Sequence, residues 1–196
     1  MKTYSLSKII MTLQKQNISL FAISDFARLF DLKNSNTLYK KIQRLENQKI
    51  IKKLINGKYL FLLSHADEFS IAHFILNPSY ISLESALSFY GIMTGFSYSL
   101  TSVTTRPPKT ILLDNKEYSY SRINPSLFWG YEKNGQFLIA NKEKALLDYC
   151  YFSLKGLRTP IDFDEIDTTQ LDNRKLSEYA HRWGDKRIIK IIKNII

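Results

Sequence analysis

The stretch "NTLYKKIQRLENQKIIKKLINGKYLFLL", residues 36–63, holds six lysines and one arginine beside a single acid, Glu46. Cations gathered this way neutralise phosphate; they do not make or break bonds. Ser35, Asn36, Thr37, Tyr39, Lys40, Lys41, Gln43 and Arg44 all fall off the apolar stripe Leu38, Ile42 and Leu45. A helix over these residues turns the whole group towards solvent. Small polar residues near a helix N-terminus reach base edges and phosphates. Asn, Gln and Arg carry the donor and acceptor patterns that bases need, and Lys mostly neutralises phosphate. Lys52, Lys53 and Lys58 extend the basic character into the next segment. The alternative for the first group is the solvated face of a protein-binding module. For the last three it is an edge hairpin protected by charge from sheet-to-sheet association.

Other chemistry is poorly supported. "GFSYS", Gly95 to Ser99, lacks the second glycine of a nucleophile elbow. With seven glycines in the chain there is no phosphate-binding glycine loop. His65, His73 and His181 are scattered, with no metal-ligand spacing. Asp162, Asp164, Glu165 and Asp167 are a candidate divalent-cation group or, more plainly, a solvated acidic loop that suits a basic partner. Cys150 stands alone in "LLDYCYF", which predicts a buried thiol and no disulfide framework. The expectation is a protein that is not an enzyme and holds no metal or cofactor.

The elements that position the basic residues follow from periodicity. Leu6, Ile9, Ile10 and Leu13 predict a helix over Leu6 to Lys15. A second runs from about Ile23 to Phe30, capped by Ser24 or Asp25. "DLKN" makes a turn, and Asn34 or Ser35 caps a third helix reaching about Gln48. "IIKKLI" and "KYLFLL" then flank Asn56-Gly57, the signal of a type I′ hairpin. Helix, helix, turn, helix, hairpin is the order of a winged helix-turn-helix, whose third helix enters the DNA major groove beside the wing.

Further on, the pattern predicts a helix from Phe69 to Leu76, ended by Asn77-Pro78, and a helix from about Leu83 to Tyr90, stopped by Gly91. Strands follow in "SYSLTSV", "KTILLD", "KEYSYSRI" and "GQFLIA". Asn141 caps the helix "KEKALLDYCYFSL", with Glu143 in its first turn, and the chain closes on "NRKLSEYAHRW" and "DKRIIKIIKNII". In the last of these Ile188, Ile189, Ile192, Ile195 and Ile196 share a face. That face suits packing within a domain or on a second protein, and less well a membrane surface.

The fold class expected is α+β: a winged helix-turn-helix over residues 1–64, then a mixed α/β domain over 65–196 that ends in helices. Charge supports the division. Up to Leu63 twelve Lys and Arg face three Asp and Glu; the remaining residues carry sixteen against fifteen. Such asymmetry marks a polyanion-binding module joined to a near-neutral one. The N-terminal stretch has no unbroken apolar run, and no segment approaches the roughly 20 apolar residues that span a bilayer. The expected location is the cytoplasm.

"PSYISLESALSFYGI", "TSVTTRP", "FLIANKEKALLDYCYF" and "LSEYAHRWGDKRIIKII", together with the N-terminal order of elements, resemble the AbiEi family. Its members are antitoxins of AbiE abortive-infection toxin–antitoxin systems. The resemblance covers nearly the whole chain and implies a two-domain regulator. Its winged helix would bind double-stranded DNA at promoter repeats of its own operon and repress it, and its C-terminal domain would counter a nucleotidyltransferase-like toxin without necessarily forming a stable complex. The recognition helix and wing carry over residue by residue, and no catalytic motif does. The protein is expected to be a monomer or weak dimer that binds repeats cooperatively. With Arg44 the one arginine of its recognition helix, an A/T-rich site is favoured. A protein-interaction module without an operator is the alternative, and an enzyme acting on nucleic acid is the third reading.

Overall fold

The computed structural model describes residues 4–93 and 98–195, apart from the Asp164 side chain. Gly95 to Ser97 of "GFSYS" and Ile196 of the C-terminal stripe lie outside the described residues. The fold is α+β and divides into two compact units, Met1–Ile75 and Leu76–Ile196. The division falls beyond the composition shift at residue 64.

In the first unit the order is α1 (Leu6–Lys15), β1 (Leu20–Ala22), α2 (Ile23–Leu29), α3 (Ser35–Asn47), β2 (Ile51–Ile55), β3 (Lys58–Phe61) and α4 (Glu68–Ile75). Ser5 caps α1 by accepting from the Lys8 amide at 3.3 Å. The expected caps of α2 are replaced by another device. Asp25, at the third helical position, reaches back to accept from the Ala22 amide at 3.2 Å, where Ala22 has no side-chain acceptor of its own. Asn34 caps α3 by accepting from the Thr37 amide at 3.1 Å. The three strands form one antiparallel sheet in the order β1-β3-β2. Asn56-Gly57 does join β2 to β3, but only Gly57 has positive φ, at 75°. A type I′ turn needs it at both central residues, so the turn is of another type, and the register slips between Lys53 and Ile55. Phe26, Phe30 and Phe61 lie at the centre of the core, with Leu13, Ile42 and Leu45 buried around them.

The second unit is built on a mixed six-stranded sheet. Its strands are β4 (Ser79–Ile81), β5 (Ser99–Thr104), β6 (Lys109–Leu113), β7 (Lys116–Arg122), β8 (Tyr131–Asn134) and β9 (Phe137–Ala140), in the order β6-β7-β5-β4-β9-β8. Four helices accompany it: α5 (Leu83–Phe89), α6 (Lys142–Leu154), α7 (Asn173–Trp183) and α8 (Lys186–Lys193). Each of the last three has an Asn or Asp cap: Asn141, Asp172 and Asp185. Ile188 and Ile192 of α8 are buried, which is how a helix of its own domain core packs. No helix among the described residues is long and apolar enough to cross a membrane.

Helix α6 carries an ion pair to the centre of this unit. Lys144 and Asp148 lie one turn apart, both fully buried and hydrogen-bonded to each other. Asp148 also accepts from the Tyr80 hydroxyl at 3.0 Å and the Ser82 hydroxyl at 2.7 Å. The Lys144 ammonium donates to Tyr80 Oη at 2.9 Å and sits 4.5 Å from the centre of the Trp183 ring and 5.3 Å from that of Trp129. Burial lowers the Lys144 pKa and raises that of Asp148, and each partner opposes the other's shift. Gly130 is required beside the lysine stem. Its φ is 75°, and a Cβ there would lie 2.9 Å from Lys144 Cγ. Burial also pushes the Cys150 thiol up to about 12, as an inert core thiol requires.

Removing one member of such a pair strands the other charge. Asp148→Ala is expected to lower the unfolding free energy by about 3–5 kcal/mol. Replacing both, as Lys144→Met with Asp148→Leu, should recover most of that loss in urea denaturation. Equal losses in the single and double variants would contradict this reading of the cluster.

Candidate functional site

The basic face of the first unit is built on α3 and β2. Ile42 and Leu45 are buried and Leu38 packs at the core margin, so the helix is fixed in rotation about its axis. Ser35, Asn36, Tyr39, Lys40, Gln43 and Arg44 are exposed, and Thr37 and Lys41 are half-buried. Tyr39 keeps 60% of its surface in solvent, unusual for so large an apolar ring. Lys53 is exposed on β2 and Lys52 half-buried. Among the described residues, the charged groups of Lys40, Arg44 and Lys53 meet no ion-pair or hydrogen-bond partner.

Two of the expected site lysines do structural duty instead. Lys41 donates to the Tyr4 carbonyl at 3.2 Å. Tyr4 in turn meets Phe30 edge-on at 5.2 Å, so the lysine ties α3 to the segment ahead of α1. Lys58 donates to the carbonyls of Phe74 and Ile75 at 2.6 and 3.1 Å, with its ammonium 5.1 Å from the centre of the Phe74 ring. Those are the last carbonyls of α4, where a cation satisfies unpaired acceptors and the negative end of the helix dipole. Lys58 therefore anchors β3 to α4. Spacing along the chain carries no sign of this, because the contact depends on where α4 packs.

A groove of about 270 Å³ runs between the start of α1 and α3. Tyr4, Leu6 and Ile9 form its apolar wall; Thr37, Lys40, Lys41 and Arg44 form the other. Three cations on one wall with no acid among them make a surface that attracts an anion. Arg28, by contrast, is paired with Asp25 at 2.6 Å on α2.

The acidic stretch is organised by its own turns. Asp167 accepts from Thr169 and Gln170, which hold its carboxyl below the ordinary range. Among the described residues no group of three or more His, Cys, Asp or Glu could hold a metal ion. Glu143, read from sequence as a helix-dipole residue, accepts from the Asp172 amide at 3.1 Å and pairs with Lys175 at 2.9 Å, which joins α6 to α7.

No model of a known protein family matches the chain, and no curated protein matches it.

The split between free and committed lysines is measurable. Lys58→Ala removes a charged donor from two carbonyls and should cost about 1.5–3 kcal/mol in urea denaturation. Lys53→Ala, on the open surface, should stay within about 0.5 kcal/mol of the parent. Equal effects would show that Lys58 is not the anchor.

Proposed function

We propose that the first unit is a winged helix-turn-helix that binds double-stranded DNA. We propose further that the chain is an antitoxin and transcriptional autorepressor of a toxin–antitoxin operon. The observation that carries the DNA reading is the pair of unpartnered cations Lys40 and Arg44 on the outer face of α3, with a third, Lys53, exposed on β2. The order helix, strand, helix, helix, strand, strand, with its three-stranded sheet, supports it. So does the fixed rotation of α3, which turns the polar residues of its first turns outward together.

In this reading α3 lies in the major groove. Asn36, Thr37 and Gln43 reach base edges, and Ser35 and Tyr39 approach the backbone. Asn and Gln match the paired donor and acceptor of adenine, and a single arginine offers one fork for guanine, so the operator is A/T-rich. Lys40, Arg44, Lys52 and Lys53 neutralise flanking phosphates. Lys41 and Lys58 hold the elements that present them. One such domain touches few bases, so promoter repeats bring two copies together on the DNA. The antitoxin role, exerted by the second unit on a nucleotidyltransferase-like toxin, is supported by the resemblance of "YISLESAL" and "EKALLD" to the AbiEi family.

Fluorescence anisotropy with the duplex upstream of the gene, against a scrambled duplex of equal length, tests the DNA reading. A preference of about a hundredfold, on the order of 3 kcal/mol, is expected. Neutralising about 6 phosphates predicts a loss on the order of a thousandfold in affinity between roughly 50 and 200 mM salt. The K40A/R44A variant, which leaves the Lys41 anchor in place, should lose binding while keeping its fold by circular dichroism. Unchanged affinity in that variant would overturn the assignment of α3.

A further inference from the structure

The second unit holds a basic cleft that plays no part in the DNA reading. It opens at one end of the sheet, where β6 and β7 meet the chain that follows α6, and measures about 360 Å³. Lys109 and Thr110 come from β6, Ser119, Ser121 and Arg122 from β7, and Arg158 from beyond α6. Thr110 and Ser119 lie directly opposite in the antiparallel register, so their hydroxyls share one face of the sheet. Ser121, two residues along the same strand, returns to that face.

Arg158 is held in place. Its Nε donates to Glu84 at 3.0 Å, and its terminal nitrogens donate to Ser121 Oγ at 3.2 Å and to the Leu157 carbonyl at 2.8 Å. A guanidinium has five N–H donors, so two stay available in a fixed direction. Glu84 offsets one positive charge of the three. Lys109 and Arg122 are exposed, and among the described residues their charged groups, like the hydroxyls of Thr110 and Ser119, meet no partner.

We infer that this cleft is a binding site for a phosphate group, in a ligand of mononucleotide size. A carboxylate is planar and carries one charge. A phosphate monoester carries close to two charges and three acceptor oxygens, which matches a cleft lined by cations and hydroxyls from three segments. The volume lies within the range of small-ligand sites, about 300–1,000 Å³. The same group is offered by a nucleic-acid backbone, and the experiment separates the two sources. The inference is independent of the DNA-binding reading, since none of its residues lies in the first unit.

Isothermal titration of the full chain with AMP and with inorganic phosphate tests it. AMP is expected to bind once per chain. K109Q/R122Q, two exposed residues without partners, should weaken binding at least tenfold at unchanged melting temperature. K40A/R44A should bind AMP as the parent does. AMP affinity that survives addition of a short duplex assigns the site to a free mononucleotide. Displacement of AMP by the duplex in the parent, with duplex affinity lowered in K109Q/R122Q, assigns it to a nucleic-acid backbone. If neither AMP, phosphate nor duplex shows binding that depends on Lys109 and Arg122, the inference is overturned.

Discussion

A helix with a narrow apolar stripe has one way to pack. In α3 only Ile42 and Leu45 are fully buried, with Leu38 beside them. Because the turn repeats every 3.6 residues, fixing three positions on one face fixes the direction of every other side chain. The cluster of Phe26, Phe30 and Phe61 beneath them supplies the burial that holds the stripe inward. Everything proposed for the basic face depends on that constraint. Were α3 free to roll, its polar residues would not present one surface.

The charge of the first unit serves two purposes that composition cannot separate. Lys41 and Lys58 carry the same charge as Lys40 and Lys53, yet their ammonium groups bond to backbone carbonyls. They satisfy acceptors that would otherwise cost about 1–3 kcal/mol each if buried unpaired. The cations left for a ligand are fewer than the sequence suggests: Lys40, Arg44 and Lys53 on α3 and β2, with Lys15, Lys33 and Lys49 exposed elsewhere in the unit. In the second unit Lys144 goes further, enclosed by aromatic rings and Asp148. Its cost of burial is met by geometry that Gly130 alone permits at that approach.

Periodicity was a good guide where elements were long. Helices α1, α3, α6, α7 and α8 fall within a few residues of their apolar stripes and caps, and the strands β5, β6, β7 and β9 fall at the expected segments, β5 buried along almost its whole length. Short elements escaped. Strand β1 is three residues long, too short for a period, and exists because β3 offers it an edge. Strand β8, "YEKN", is half charged and is held by pairing with β9, not by propensity. A turn forms at Asn56-Gly57 as expected, but only Gly57 takes positive φ, and the register of β2 slips beside it. Lys144 and Asp148 left a trace that was legible in principle. Opposite charges one helical turn apart inside the apolar run "EKALLDYCYF" are the spacing of an internal pair. Of the candidate site, the exposed face of α3 was readable from its stripe. The anchoring roles of Lys41 and Lys58 were not, because their acceptors lie in segments 37 and 16 residues away.

In the function proposed, the outer face of α3 and the exposed part of β2 are the nucleic-acid contact. An amide-resolved NMR titration of the full chain with the duplex upstream of its gene tests it most directly. Saturable shifts concentrated at residues 35–44 and 52–53, with the amides around Phe74 and Ile75 unmoved, are expected. Saturable shifts confined to the second unit, or none that distinguish this duplex from a scrambled one, would contradict it.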